Sequence, residues 1–320
     1  MSMLDNNPQS SGAKVIWWII LLACSMAPWF AGPFVLHLAI LTCLNILIVN
    51  GLSIIERSGQ LSFGHSAFVA IGAYVSVLAA KLGGMNILLS GLVGLICAAV
   101  VALMLGWIIL RLKGVYFVLV TFAFAELMRL TLLDWSEITG GATGIGSIPP
   151  IDVFGFAFDT RTRFYGLALV FALLSLLFAM KLFARPLGQA MVSVSDNPAL
   201  AESTGMSVNR LQLVAFMIGS TIAALGGVLM ARYISFISPE SFNTSVSVGL
   251  ITMLVIGGRK SVWGPLIGAV VLTPLPELFR GAVQTQHIFY GAALILILRF
   301  LPGGLVSIGA QFKKMRRIEQ

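Results

Sequence analysis

About ten apolar runs, separated by short polar or glycine-rich segments, dominate this chain. They fall near residues 14–30, 33–55, 66–81, 86–110, 114–133, 164–183, 211–231, 244–257, 262–279 and 287–301. Most approach the roughly 20 residues that an α-helix needs to cross a hydrocarbon core. Backbone N–H and C=O groups in lipid must be satisfied within the segment, so runs of this kind mean helices. The alternating strands of a membrane barrel would look different. With 58% hydrophobic and 10% charged residues over 320 positions, and a mean hydropathy of +0.98, the chain carries more apolar surface than one soluble core can hide. Runs 244–257 and 287–301 are shorter than an ideal span, which suggests helices that are tilted, broken or only partly inserted. The expected fold is all-α: a polytopic transmembrane helical bundle of 8–10 spans over residues 14–309, with tails at 1–13 and 310–320.

Basic residues set the expected orientation, because short loops rich in Lys and Arg stay cytoplasmic. With both termini inside, the cytoplasmic ends and loops collect Lys14, Arg57, Arg111, Lys113, Lys181, Arg185, Arg210, Arg259, Lys260 and the basic C-terminal tail. The outer side keeps Lys81, Arg161, Arg163, Arg232 and Arg280. The long polar stretch 185–209 then lies in the cytoplasm. The net charge of +8 reflects this topology and contact with anionic membrane lipid; no nucleic-acid partner is expected. Ser25-Met26-Ala27 resembles a signal cleavage site, but Pro28 would follow the cut, so the first run is expected to remain as a helix.

Enzymatic chemistry is poorly supplied. Cys24, Cys43 and Cys97 lie in apolar runs with no paired spacing, and His37, His65 and His287 are far apart, so no disulfide framework, metal or cofactor is expected. Gly257-Gly258-Arg259-Lys260-Ser261 is the nearest approach to a phosphate loop. A Walker A motif needs Gly before Lys and another Gly five positions earlier, where this chain has Arg259 and Leu254. ATP is not bound by that route, and the chain is not read as an enzyme.

Polar residues inside apolar runs are costly and tend to face a bundle interior or a pathway. Glu126 and Arg129 stand three apart on one helix, close enough to neutralise each other or to meet a solute. The segment from Ser58 to Ser66, with Ser62, Gly64 and His65, joins the second and third runs and leads into Gly72-Ala73. A related pattern, Gly258 to Gly264 and then Gly268-Ala269, recurs late in the chain, which suggests internal repeats with broken helices and a pathway between them. Thr139-Gly140-Gly141 opens a glycine-rich connection whose backbone groups can face a solute or a docked protein, or simply form turns.

Five segments occur in the order found in LivM-type permeases of branched-chain amino acid ABC transporters, and the chain resembles that family over about residues 40–275. They are RSGQLSFGHSAFVAIGAY, LKGVYFVLVTFAFAELMRL, ITGGATGIGSIPP, the stretch from ARPLGQAMVSVSDNPALAESTGMSV to LGGVL, and VIGGRKSVWGPLIGA. The resemblance implies a multi-pass subunit of the bacterial inner membrane. Its implied partners are a second, LivH-like permease, two cytoplasmic ATPases and a periplasmic solute-binding protein.

The same resemblance implies that 185–209 is the ATPase-coupling loop, with Gly188, Asp196, Asn197, Ala201, Glu202 and Gly205 as its candidate residues. A short helix over about 196–205 is expected, with Asp196 or Asn197 as N-cap, Pro198 in the first turn and Gly205 as the stop. The stretch lacks the family's Glu-Ala-Ala. The implied mechanism is alternating access driven by the partner ATPases. Ser62, Gly64, His65, Thr121, Glu126, Thr139, Gly140 and Gly141 are the candidate pathway residues. Related permeases serve urea, short amides and aromatic acids, so these solutes stay open beside branched-chain amino acids. A secondary transporter coupled to H+ or Na+ is the alternative of a different class.

Overall fold

A computed structural model describes residues 32–112, 114–153, 156–275, 291 and 304–306. The apolar runs at 14–30 and 287–301, both tails, Lys113, Arg280 and His287 lie outside the described residues. Within them the chain forms helices α1 (Pro33–Glu56), α2 (His65–Gly83), α3 (Ile87–Ile109), α4 (Val115–Asp134), α5 (Ser136–Thr139), α6 (Arg161–Ala184), α7 (Pro186–Asp196), α8 (Pro198–Ser203), α9 (Val208–Ile234), α10 (Thr244–Gly257) and α11 (Gly264–Leu272). Seven segments among the described residues are long and apolar enough to cross a membrane: α1, α2, α3, α4, α6, α9 and Pro239–Gly257. The protein is an all-α, polytopic membrane bundle.

Local chemistry starts and stops these helices where the apolar runs do. The side chains of Asn86, Thr160 and Asn243 accept hydrogen bonds from the backbone N–H groups of Leu88, Arg163 and Val246, capping α3, α6 and α10. Asn243 also explains the short run at 244–257. It separates a 3-10 turn at Pro239–Phe242 from α10, so the span is a broken one. Apolar periodicity does not predict the four two-residue strands that brace one end: β1 (Ile145–Gly146), β2 (Asp152–Val153), β3 (Phe156–Ala157) and β4 (Phe236–Ile237). Strand β1 pairs antiparallel with β4, and β2 with β3.

At the centre, α9 packs against α1, α2 and α3. Lipid tails are as apolar as leucine, so helix association in a membrane depends on close packing of small residues. A Cβ added at Gly72 would come within 2.1 Å of the Ala224 carbonyl oxygen, which brings the α2 and α9 backbones into contact. The later pattern repeats the device, since a Cβ at Gly268 would meet the Met253 carbonyl oxygen at 1.8 Å where α11 packs on α10.

Successive spans alternate in direction, so the connections gather at two ends. One end holds 57–64, 110–114, 185–207 and 258–263 and carries Arg57, Arg111, Lys181, Arg185, Arg210, Arg259 and Lys260. It is the basic end. Both glycine-interrupted segments, 58–64 and 258–263, lie here, and the helices leading into them run in the same direction.

Candidate coupling and translocation site

The polar stretch 185–209 folds as two helices rather than one. Arg185 is extended and Pro186 occupies the first turn of α7, which turns sharply away from α6. Gly188 permits that turn, because a Cβ there would come within 2.2 Å of the Leu182 carbonyl oxygen. Gly188, Met191 and Val194 recur every third residue as the buried face of α7, and Met191 packs with Ile54, Ala179, Leu182 and Ala215 at the ends of α1, α6 and α9. The connector is thus wedged into the bundle.

Helix α8 is the capped helix expected from the sequence, with narrower bounds. Asn197 is the N-cap, its side-chain oxygen accepting from Leu200 N at 3.1 Å, and Pro198 is in the first turn. Asp196 belongs to α7 instead. Gly205, at φ +85°, donates to Glu202 O, while Met206 N donates to Ala201 O, the paired bonds of a Schellman stop. Ala201 is buried against Val194 and Val208, whereas Glu202 points to solvent.

Long-range contacts tie this unit to both glycine-interrupted segments. Lys260 Nζ donates to Asp196 Oδ1 at 3.2 Å. The next residue back, Arg259, donates through Nε and Nη2 to one oxygen of Glu56, with Nε at 2.6 Å. Glu56 closes α1 with its side chain only 9% exposed, so the pair is half out of water. Arg57 stacks its guanidinium over Phe183 at 3.8 Å. Gln212, on α9, donates to Ser58 O at 3.3 Å, and Gly59, at φ +88°, lies against Ser195 of α7.

The segment from Ser58 continues inward to α2. Phe63 N donates to Thr121 Oγ1 at 3.1 Å, and Gly64 is seated against the Thr121 backbone, where a Cβ would meet the carbonyl oxygen at 2.6 Å. His65, fully buried, donates from Nε2 to Ile48 O at 3.0 Å. Ser66 N and Ser66 Oγ both bond Ser247 Oγ, which fastens α2 to α10. Ser62 Oγ and His65 Nδ1 are buried with no hydrogen-bond partner among the described residues.

Structure brings Ser62, Gly64, His65 and Thr121 together and keeps the remaining candidates apart from them. Arg129 bonds Glu126 through Nε at 3.0 Å and also reaches Glu240 at 2.6 Å; Thr244 donates to the second Glu126 oxygen at 3.4 Å. Thr139 Oγ1 shares its one proton between Leu132 O and Trp135 O and accepts from Gly141 N, while Gly140 and Gly141 both have positive φ. This trio makes a tight turn at the end of α5. Sequence reasoning passed over Glu56 and Ser247 and read Arg259 and Lys260 only as basic loop residues within a failed phosphate loop; the signal at Glu56 is a charge at the end of an apolar run, and Ser247 gives none.

Residues 34–298 match the family described as the permease component of the branched-chain amino acid transport system. The chain belongs to this family. It is 31% identical to the high-affinity branched-chain amino acid transport system permease protein LivM of Escherichia coli K12, over 94% of this chain and 77% of the relative. The Salmonella typhimurium LivM is 32% identical over the same shares. The permease is also 26% identical to LivH of Salmonella typhimurium, over 78% of this chain and 86% of the relative. No solved structure matches it. These relatives are named as transport permease subunits, and the two names point to a permease pair.

Proposed function

We propose that this permease is the transmembrane subunit of an ABC importer that moves branched-chain amino acids across the bacterial inner membrane by alternating access. One of two partner ATPases docks on α7 and α8 at the basic end, which faces the cytoplasm together with both termini. A LivH-like permease completes the membrane unit, and a periplasmic binding protein delivers the solute.

One observation carries the reading: the solvent-facing α8 is joined, through α7, Asp196–Lys260 and Glu56–Arg259, to both glycine-interrupted segments of the bundle. A push on α8 is therefore transmitted to the segment that holds Ser62, Gly64 and His65 against Thr121. The pathway runs beside that segment. Two buried polar atoms without partners there cost about 1–3 kcal/mol each unless another state or a solute satisfies them, which suits a gate better than a static core. Thr139, Gly140 and Gly141 contribute a rigid turn at the outer mouth.

Co-purification from membranes tests the reading. An ATPase retained by the native chain and lost with Glu202→Lys or Gly205→Pro, at unchanged permease abundance, is the expected result. Uptake that survives loss of that ATPase but collapses with a proton uncoupler would establish a secondary transporter instead. Labelled leucine uptake in a permease-deletion strain should be restored and be insensitive to urea; competition by urea without leucine transport would move the substrate to the amide class.

A further inference from the structure

Three spans leave wide faces uncovered in the isolated chain, and they are not alike. On α3 the exposed residues from Leu88 to Ile108 are all apolar, and on α6 the exposed residues from Gly166 to Phe178 are Gly166, Val170, Leu174, Leu177 and Phe178. Such faces suit lipid. The open stripe of α4 follows the same helical spacing through Leu119, Phe122 and Leu130, yet it has Glu126 in its middle, with the side chain 36% exposed. Glu126 stands eight residues, about 12 Å, inside the end of the span. Beside it, the exposed positions of α10 are Ser245 and Val248, one polar and one apolar.

A charged carboxylate at that depth is not solvated by acyl chains, and its partner Arg129 is already shared with Glu240. We infer that the α4–α10 face around Glu126 is the surface on which the second permease chain packs, while α3 and α6 face lipid. This rests on the permease-pair reading above. A second chain of the same fold, presenting a hydroxyl, amide or cationic side chain at this depth, supplies the polar cover that lipid lacks. The shared similarity of this chain to relatives named LivM and to relatives named LivH is consistent with such a like-with-like packing.

The test uses the assembled transporter in native membranes, with a photoreactive benzophenone side chain introduced at Phe122, at Val248 or, as the lipid-facing control, at Leu174. Co-purification of the second permease is scored separately, so that its presence checks the pair itself and the adducts check the face. The expected result is an adduct with the second permease from Phe122 and Val248 at least about tenfold above that from Leu174. Co-purification without adducts from Phe122 and Val248, equal adducts from Leu174, or adducts to another copy of this chain would each overturn the assignment. Absence of any second permease would overturn the pair reading as well.

Discussion

Glu56 and Arg259 are 203 positions apart in sequence and form a half-buried ion pair, two guanidinium donors on one carboxylate oxygen, that locks the end of α1 to the turn between α10 and α11. Lys260, beside Arg259, is 92% exposed and reaches Asp196 on α7. The two pairs differ in burial, and that difference sets their energetics. Removing one partner of a buried pair strands the other charge, whereas exposed pairs contribute little.

Arg259→Gln should therefore destabilise the permease by roughly 1–3 kcal/mol, below the range for fully buried pairs because Arg259 is half exposed. Lys260→Gln should leave thermal unfolding in detergent unchanged. Glu56→Gln combined with Arg259→Gln should recover part of the loss, since no charge is then left unpaired. Equal effects of Arg259→Gln and Lys260→Gln would show that burial is not what matters.

The α2–α9 crossing predicts a sharp asymmetry among glycines. Gly72→Val drives a side chain into the Ala224 backbone and should cost about 3 kcal/mol or more, read as loss of the monodisperse peak in size-exclusion chromatography. Gly166→Ala on α6 meets nothing within 4 Å and should be neutral or stabilising by up to about 1 kcal/mol.

Helix α8 depends on its cap. Asn197→Ala should lose about 1 kcal/mol of local stability and speed hydrogen exchange at 199–204, while α2 and α9 stay protected. Asn197→Asp keeps the acceptor and should restore protection. Weaker ATPase retention is expected to track the exchange rate across these variants.

Thr121→Val removes the acceptor for Phe63 N, and Thr121→Ser keeps it. An orphaned N–H at this half-buried contact costs up to about 1–3 kcal/mol, so maximal leucine uptake should fall roughly tenfold in Thr121→Val at unchanged abundance. Native uptake in that variant would remove the Phe63–Thr121 contact from the gate.

Much of the architecture was legible in the sequence because its causes are local. Apolar runs near span length dictate helices in lipid, Asn197-Pro198 and Gly205 dictate where α8 begins and ends, and Glu126–Arg129 lie close enough on one helix to pair. What only the tertiary structure decided concerns partners distant in the chain. The buried face of α7 is just three residues, Gly188, Met191 and Val194, too few to stand out from a polar connector until α1, α6 and α9 close around them. Thr139, Gly140 and Gly141 carry the composition of a ligand loop, but their hydrogen bonds are spent within the turn. Arg259 looked like part of a failed phosphate motif until the bundle brought Glu56 to it. A periodic pattern reports which face a helix buries, and no pattern in one strip of sequence reports what another strip will place against it.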